Sequence, residues 1–205
     1  MSTQRTYLPI RENEIILRAM CQRDVIWAAL LDHMVFPDPW GSDAFAQEVE
    51  NRHAFYFVLE HLHPETLPAE RRPLFSALLG VVGLREELAR NGRHYGHITN
   101  LVIHPAWQGQ GLGRRLLQQA LITARRRTLA YLMLEVYTTN ERAIALYESE
   151  GFTIEQKLPR YYSSGADAYL MTKPLPDGGP TEPAIAPCRR ERERPSPFGE
   201  PHAAP

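Results

Sequence analysis

The chain has 205 residues, enough for one domain with a sizeable core and short for two. Hydrophobic residues make up 43% and charged residues 23%, the proportions of an ordinary soluble globular protein. The net charge of -1 supplies no field for nucleic acid or a membrane surface, so neither is expected as a partner. Cys21 and Cys188 make neither a disulfide framework nor a metal site, and are expected as free thiols in a reducing compartment. The start of the chain holds no apolar run that could serve as a signal peptide. No stretch approaches the ~20 apolar residues of a membrane span. A cytoplasmic protein without a metal is the expectation.

Residues 1–13 are expected to be flexible, with the domain over 14–175. Ile15, Ile16 and Leu17 form a short strand-like run. From Asp24 to Met34, apolar residues recur at helical spacing. Pro37-Asp38-Pro39-Trp40-Gly41 breaks the chain. A second helix follows, holding Phe45 and Val49, with Ser42 or Asp43 as its expected cap. Phe55–Leu59 reads as a strand, His61–Pro73 as a loop with three prolines, and Leu78–Leu84 as a strand. The polar run Arg85–Arg93 reads as a hairpin connection and Ile98–Ile103 as a strand stopped by Pro105. Leu112, Leu116, Leu117, Ala120, Leu121 and Ala124 predict an amphipathic helix. Leu132–Val136 is a nearly continuous apolar strand. Asn140 can cap the next helix, whose inward residues are Ala143, Ile144 and Tyr147. Phe152–Ile154 and Ala168–Met171 supply two last strands. The remainder, 176–205, is dense in proline and glycine and poor in aliphatic residues. It cannot bury enough surface to offset its ordering entropy, so a disordered tail is expected.

Two motifs carry chemistry. The first is His104-Pro105-Ala106-Trp107-Gln108-Gly109-Gln110-Gly111-Leu112-Gly113-Arg114, between a strand and a helix. Glycines at alternating positions leave backbone N–H groups bare at a helix N-terminus, where the dipole favours an anion such as pyrophosphate. No Lys-Ser/Thr pair follows, so this is not a P-loop, and the spacing of Gly111 and Gly113 differs from the dinucleotide fingerprint. Taken alone, the glycines also suit a plain tight turn. The second motif is the strand Leu134-Glu135-Val136-Tyr137 running to Asn140 and Tyr147. Tyr131, Met133, Glu135 and Tyr137 share one face of that strand. A carboxylate among large, mostly apolar side chains is expected to hold its proton more readily than usual, which suits a general base. An edge glutamate facing water is the plainer alternative. Tyr147 likewise reads either as a residue at the strand's end or as an ordinary core tyrosine.

Gln108-Gly109-Gln110-Gly111-Leu112-Gly113 resembles the Q/R-x-x-G-x-G/A motif of the GNAT acetyltransferase superfamily. Asn140, Ala145-Leu146-Tyr147 and Gly151-Phe152 follow at that superfamily's spacing. Glu135, Arg160-Tyr161-Tyr162 and Asp167-Ala168-Tyr169-Leu170-Met171 make the chain similar to the RimI type, the ribosomal-protein alanine N-acetyltransferases. Tyr137 and Thr139 stand where that type often has arginine and serine.

The resemblance implies a single α/β domain with a mixed, mostly antiparallel, splayed sheet flanked by helices. It implies direct acetyl transfer from acetyl-CoA to an amine acceptor. Backbone groups of Leu101, Val102 and Ile103 would then hold the pantetheine. Gln108, Gly109, Gln110, Gly111, Leu112, Gly113 and Arg114 would bind the pyrophosphate, and Asn140 the pantetheine arm. Glu135 would be the general base and Tyr147 the general acid. Tyr137, Tyr161 and Tyr162 would border the acceptor. An α-amine has a pKa near ~8 and a lysine near ~10.4, so neutralising lysine at pH 7 costs roughly 3 kcal/mol more. A single glutamate is better matched to a protein N-terminus. A small amine such as a polyamine or antibiotic, a lysine, and a non-catalytic acyl-CoA-binding module are the other readings.

Overall fold

The computed structural model describes residues 14–67, 69 and 77–176. The expected flexible N-terminus and proline-rich tail therefore lie outside the described residues, save Pro176. The reading of both cysteines as thiols rests partly on Cys188, also outside them, and Cys21 itself is not a free thiol.

Seven strands form one sheet: β1 (Ile15–Ala19), β2 (Ala54–His61), β3 (Leu78–Leu88), β4 (His94–Ile103), β5 (Tyr131–Tyr137), β6 (Thr153–Leu158) and β7 (Ala168–Pro174). Their order is β1-β2-β3-β4-β5-β7-β6, and every neighbouring pair is antiparallel except β4 and β5. Four α-helices accompany them among the described residues: α1 (Val25–Val35), α2 (Ser42–Glu50), α3 (Leu112–Arg126) and α4 (Glu141–Ser149). None is long and apolar enough to cross a membrane.

The helical stripe Leu112, Leu116, Leu117, Ala120, Leu121 and Ala124 is buried, packed with Leu84, Ile98, Leu132 and Leu134 of the sheet. On the other face, Ala28 and Leu31 of α1 and Phe45 of α2 pack on Val58, Val81 and Val102. Three layers result. Asp32, only 1% exposed, ties the upper layer down. Its carboxylate accepts from the Trp40 N–H at 2.7 Å and from Asn100 Nδ2 at 3.0 Å, joining the α1–α2 loop to β4. Asp32→Ala leaves both donors buried and unpaired. It should cost about 1–3 kcal/mol, read as a lower urea midpoint at unchanged slope.

Three local readings are corrected. Arg85–Arg93 is not all connection, because β3 runs to Leu88 and β4 starts at His94. Its polarity belongs to pairs made across strands and to helix ends: Arg85 pairs with Glu48 of α2, and Glu87 accepts from Tyr95 Oη at 2.5 Å. Gly41, not Ser42 or Asp43, is the N-cap of α2, since the helix already begins at Ser42. His61 belongs to β2 rather than the following loop, and its ring lies 5.6 Å from that of Trp107. Positions 68 and 70–76 of that loop lie outside the described residues.

The sheet opens at its centre. Gly83 pairs with Asn100 and Leu84 with Ile98, so Thr99 is an extra residue in β4. Such a bulge bends its strand. A Cβ on Gly83 would sit 2.4 Å from the Tyr56 ring and 2.6 Å from Thr99 Oγ1, so only glycine fits there. Below the bulge β4 pairs with β5 at Gly96–Leu132 and His97–Met133, and nowhere beyond. From Ile98 onward the two parallel strands diverge.

Candidate active site

The divergence borders a cavity of about 440 Å³, lined by Leu101 and Ile103 of β4, the start of α3, and α4. Gly109 and Gly111 have φ of +82° and +80°, a backbone that favours glycine. The N-cap of α3 is Gly111, which has no side chain to cap it, so among the described residues the first-turn N–H groups remain for an anion. A Cβ built on Gly111 meets nothing within 4 Å, which leaves room for a ligand to approach the backbone. A cradle and an adjoining slot of this shape fit a pyrophosphate and its pantetheine arm.

Of the residues expected to hold that group, Leu101, Ile103, Gln108, Gly109, Gly111, Gly113, Arg114 and Asn140 line the cavity. Val102, Gln110 and Leu112 do not. Val102 and Leu112 are core residues because alternation and helical phase turn them inward. Gln110 Nε2 donates instead to the Ala106 carbonyl at 3.4 Å. Gln108 braces the cradle, donating to the Ile103 carbonyl at 3.1 Å and accepting from Arg142 at 3.3 Å. Asn140 Oδ1 is engaged as the α4 cap, accepting from the Ala143 N–H at 3.2 Å. Its Nδ2 is the group left to donate to a ligand. Arg114 pairs with Glu150 and donates to Ser149 Oγ at 3.0 Å.

Arg142, Val35, Phe36 and Trp107 also line the cavity and were not anticipated. Arg142 had a visible signal. A cation in the first turn of a helix opposes the helix dipole, which suggests a nearby anion. Val35 and Phe36 had none, since only the folding of α1 over β4 brings them there.

In β5, Leu134 and Val136 point into the core shared with α3, so Glu135 and Tyr137 point to the opposite face. Glu135 is not set among apolar groups alone, as the sequence suggested. Its Oε2 lies 2.7 Å from His97 Nε2. His97, a neighbour of the expected base, carries no signal in the sequence; the short β4–β5 pairing brings it to Glu135. Burial lowers the His97 pKa, but the hydrogen bond and charge of Glu135, with Glu87 behind, outweigh burial and leave it raised above an ordinary histidine. His104 at the start of the glycine motif is held otherwise. Its Nδ1 accepts from the Ala106 N–H at 3.2 Å, and burial depresses its pKa.

Tyr147 projects from α4 to the cavity wall, 7% exposed and edge-on to Phe152 at 5.8 Å. Burial pushes its phenol well above the usual range, so it keeps its proton at physiological pH. Tyr137 and Tyr162 stack with centroids 3.5 Å apart, and Tyr161 stands perpendicular to Tyr162 at 5.2 Å. Burial raises the Tyr161 phenol, and the charge of Glu135 and a hydrogen bond to it add to this. Burial also raises Tyr162, within electrostatic reach of both Glu135 and Tyr147. The β6–β7 loop carrying these rings is fastened to the α1–α2 loop: Asp38 accepts from the N–H (2.8 Å) and hydroxyl of Ser163.

The acetyltransferase (GNAT) family profile matches residues 27–152. The N-alpha-acetyltransferase RimI of Mycobacterium tuberculosis is 33% identical over 162 residues, covering 78% of this chain and 92% of the relative. An uncharacterized protein of Mycobacterium leprae is 34% identical over 166 residues, 79% of this chain. This chain spans 42% of that relative's length. The structure of the ribosomal-protein-S18-alanine N-acetyltransferase of Escherichia coli aligns with a TM-score of 0.62 at 25% identity, over 80% of this chain and 96% of that one. The profile takes in the cradle, the splayed strands and the Asn140-capped helix together, and the chain belongs to the acetyltransferase (GNAT) family.

Proposed function

We propose that this protein transfers acetyl from acetyl-CoA to the N-terminal α-amine of a protein, with Glu135 as base and Tyr147 as acid. One observation carries the reading. The Glu135–His97 pair stands where β4 and β5 part, the buried neutral phenol of Tyr147 lines the adjoining cavity, and Tyr162 lies within electrostatic reach of both Glu135 and Tyr147. The names of the relatives, an N-alpha-acetyltransferase and an alanine N-acetyltransferase, support an α-amine acceptor.

Acetyl-CoA supplies a thioester, to be placed between the two groups. First-turn N–H groups of α3 and the Arg142 guanidinium would hold its phosphates, and Asn140 Nδ2 and the open edge of β4 its arm. Glu135 removes a proton from the acceptor ammonium, the freed amine attacks the thioester carbonyl, and the positively charged nitrogen of the adduct gives up its second proton to water. As the C–S bond breaks, Tyr147 gives its proton to the leaving sulfur and regains one from solvent. Holding both reactants at the splay converts the encounter into a reaction within one complex. The Tyr137–Tyr162 stack and Tyr161 would wall the approach.

Short peptides with free N-termini, assayed beside polyamines, aminoglycosides and N-blocked lysine peptides, test this. Free N-termini should be acetylated with the highest kcat/KM. Faster turnover of a small amine would overturn the acceptor assignment. Tyr147→Phe should lower kcat by roughly 10²-fold, the low end of acid–base catalysis, with acetyl-CoA affinity little changed. Single-turnover kinetics and calorimetry check the two halves of that statement.

A further inference from the structure

β4 pairs with β5 at Gly96–Leu132 and His97–Met133 and no farther, so Glu135 stands beyond the last paired position. Met133 and Glu135 share a face of β5, and His97, opposite Met133, reaches diagonally to Glu135 on that face. His97 Nε2 lies 2.7 Å from Glu135 Oε2, with side-chain exposures of 20% and 14%. A carboxylate can only accept, so Nε2 carries a proton and donates it. Nδ1 faces Glu87 Oε1 at the longer distance of 3.5 Å. In the imidazolium both nitrogens are protonated. When the ring loses one proton, Nε2 keeps its own, because it makes the shorter bond. The bond to Glu135 therefore persists on both sides of the His97 titration. Tyr161 also donates to this carboxylate, but from a loop and at 47% exposure. The charged and titratable groups around His97 are Arg85 and Glu87 from β3, Tyr95 from its own strand, Glu135 and Tyr131 from β5, and Tyr161 through Glu135.

We propose that His97 is a positioning residue for acetyl transfer: its Nε2–H holds Glu135 Oε2 and so leaves Oε1 as the oxygen that meets the acceptor ammonium. The proposal rests on the reading of Glu135 as the base. A glutamate side chain turns about several bonds, and each one fixed before the acceptor arrives is ordering that the transition state need not supply. The acceptor's N–H bond breaks, its electron pair stays on nitrogen, and the proton goes to Oε1. His97 keeps its own proton on Nε2 throughout and neither receives nor passes one on. Water takes the proton from Glu135 before the next turnover, and both groups return to the state in which they began.

A histidine that only tied the strands together would lower activity at every pH and for every acceptor, so the test reads both. On the full chain, with acetyl-CoA and a free-N-terminus peptide at pH 7, His97→Leu should lower kcat about tenfold, with peptide KM within roughly twofold. The deficit should shrink above pH ~9, where an α-amine of pKa near ~8 arrives already neutral. It should be absent with the same peptide carrying an N-terminal aminooxy group, whose nitrogen is uncharged at neutral pH and needs no base. His97→Gln, which keeps an N–H at similar reach, should regain most of kcat. Nitrogen NMR of the wild-type His97 ring should show Nε2 protonated from acid to alkaline pH, a measurement that needs no variant to fold. A deficit equal at all pH values and for both acceptors overturns the proposal, as does wild-type kcat in His97→Leu or a bare Nε2 in the neutral ring. Loss of kcat in Glu135→Gln without loss in His97→Leu removes the positioning role alone. Near-normal kcat in Glu135→Gln removes the base and the positioning role with it. If no peptide is acetylated, the acceptor reading has failed, while the His97–Glu135 bond is still judged by NMR.

Discussion

Glu135→Gln should lower kcat by about 10²–10⁴-fold with a good peptide acceptor, the range for loss of a general base. The substitution keeps the length and one hydrogen-bonding oxygen, so His97 and the fold retain a partner. Acetyl-CoA affinity should be nearly unchanged, because Glu135 lies on the face of β5 away from the core shared with α3. The pH profile adds a sign. The acceptor's α-amine, with a pKa near ~8, must lose a proton before it attacks. The rate should therefore climb as pH rises towards the α-amine value. It should not fall near neutrality on account of Tyr147, whose phenol is held protonated by burial. In Glu135→Gln the His97 imidazole, followed by NMR, should titrate lower, since it loses its nearest carboxylate. Near-normal kcat in this variant, with the protein folded, would place the base elsewhere.

Gly111→Val should abolish measurable acetyl-CoA binding, a loss of at least about 10²-fold in affinity. Two effects add. At φ +80° a β-branched residue is strained, at a cost of order 1–3 kcal/mol. That part appears as a Tm lower by several degrees. The second effect is local. The Cβ position is empty of protein within 4 Å, so the added side chain occupies the approach to the α3 N–H groups. Gly111→Ala carries most of the strain and little of the bulk, and should keep more affinity than Val. Calorimetry on folded variants separates the terms. Equal affinity in wild type and Gly111→Val would remove the cradle from this loop.

Much of the architecture was legible because it depends on local periodicity. The stripe from Leu112 to Ala124 states which face of α3 is buried, and the alternation in β5 states that Glu135 and Leu134 point opposite ways. Asn140 announced its helix start, because an N-cap side chain bonds only a few residues away. The paired half of the Arg85–Arg93 run misled for a physical reason. Charged residues that pair with groups on other strands and helices have the composition of a turn, and only those distant partners distinguish them.

The sequence by itself determined the order of the elements, the glycine cradle at the start of α3, and the residue types on each face of β5. Tertiary structure alone decided which of those groups meet. His97 reaches Glu135 because β4 and β5, well apart in the chain, pair at two positions and then diverge at the Thr99 bulge. Val35 and Phe36 reach the cavity because Asp32 draws the α1–α2 loop onto Asn100. Local pattern encodes the direction a side chain points, through the 2.0 and 3.6 residue periods of strand and helix. It does not encode register between distant segments, which is set by packing and by the pairing of buried polar groups once the chain has folded.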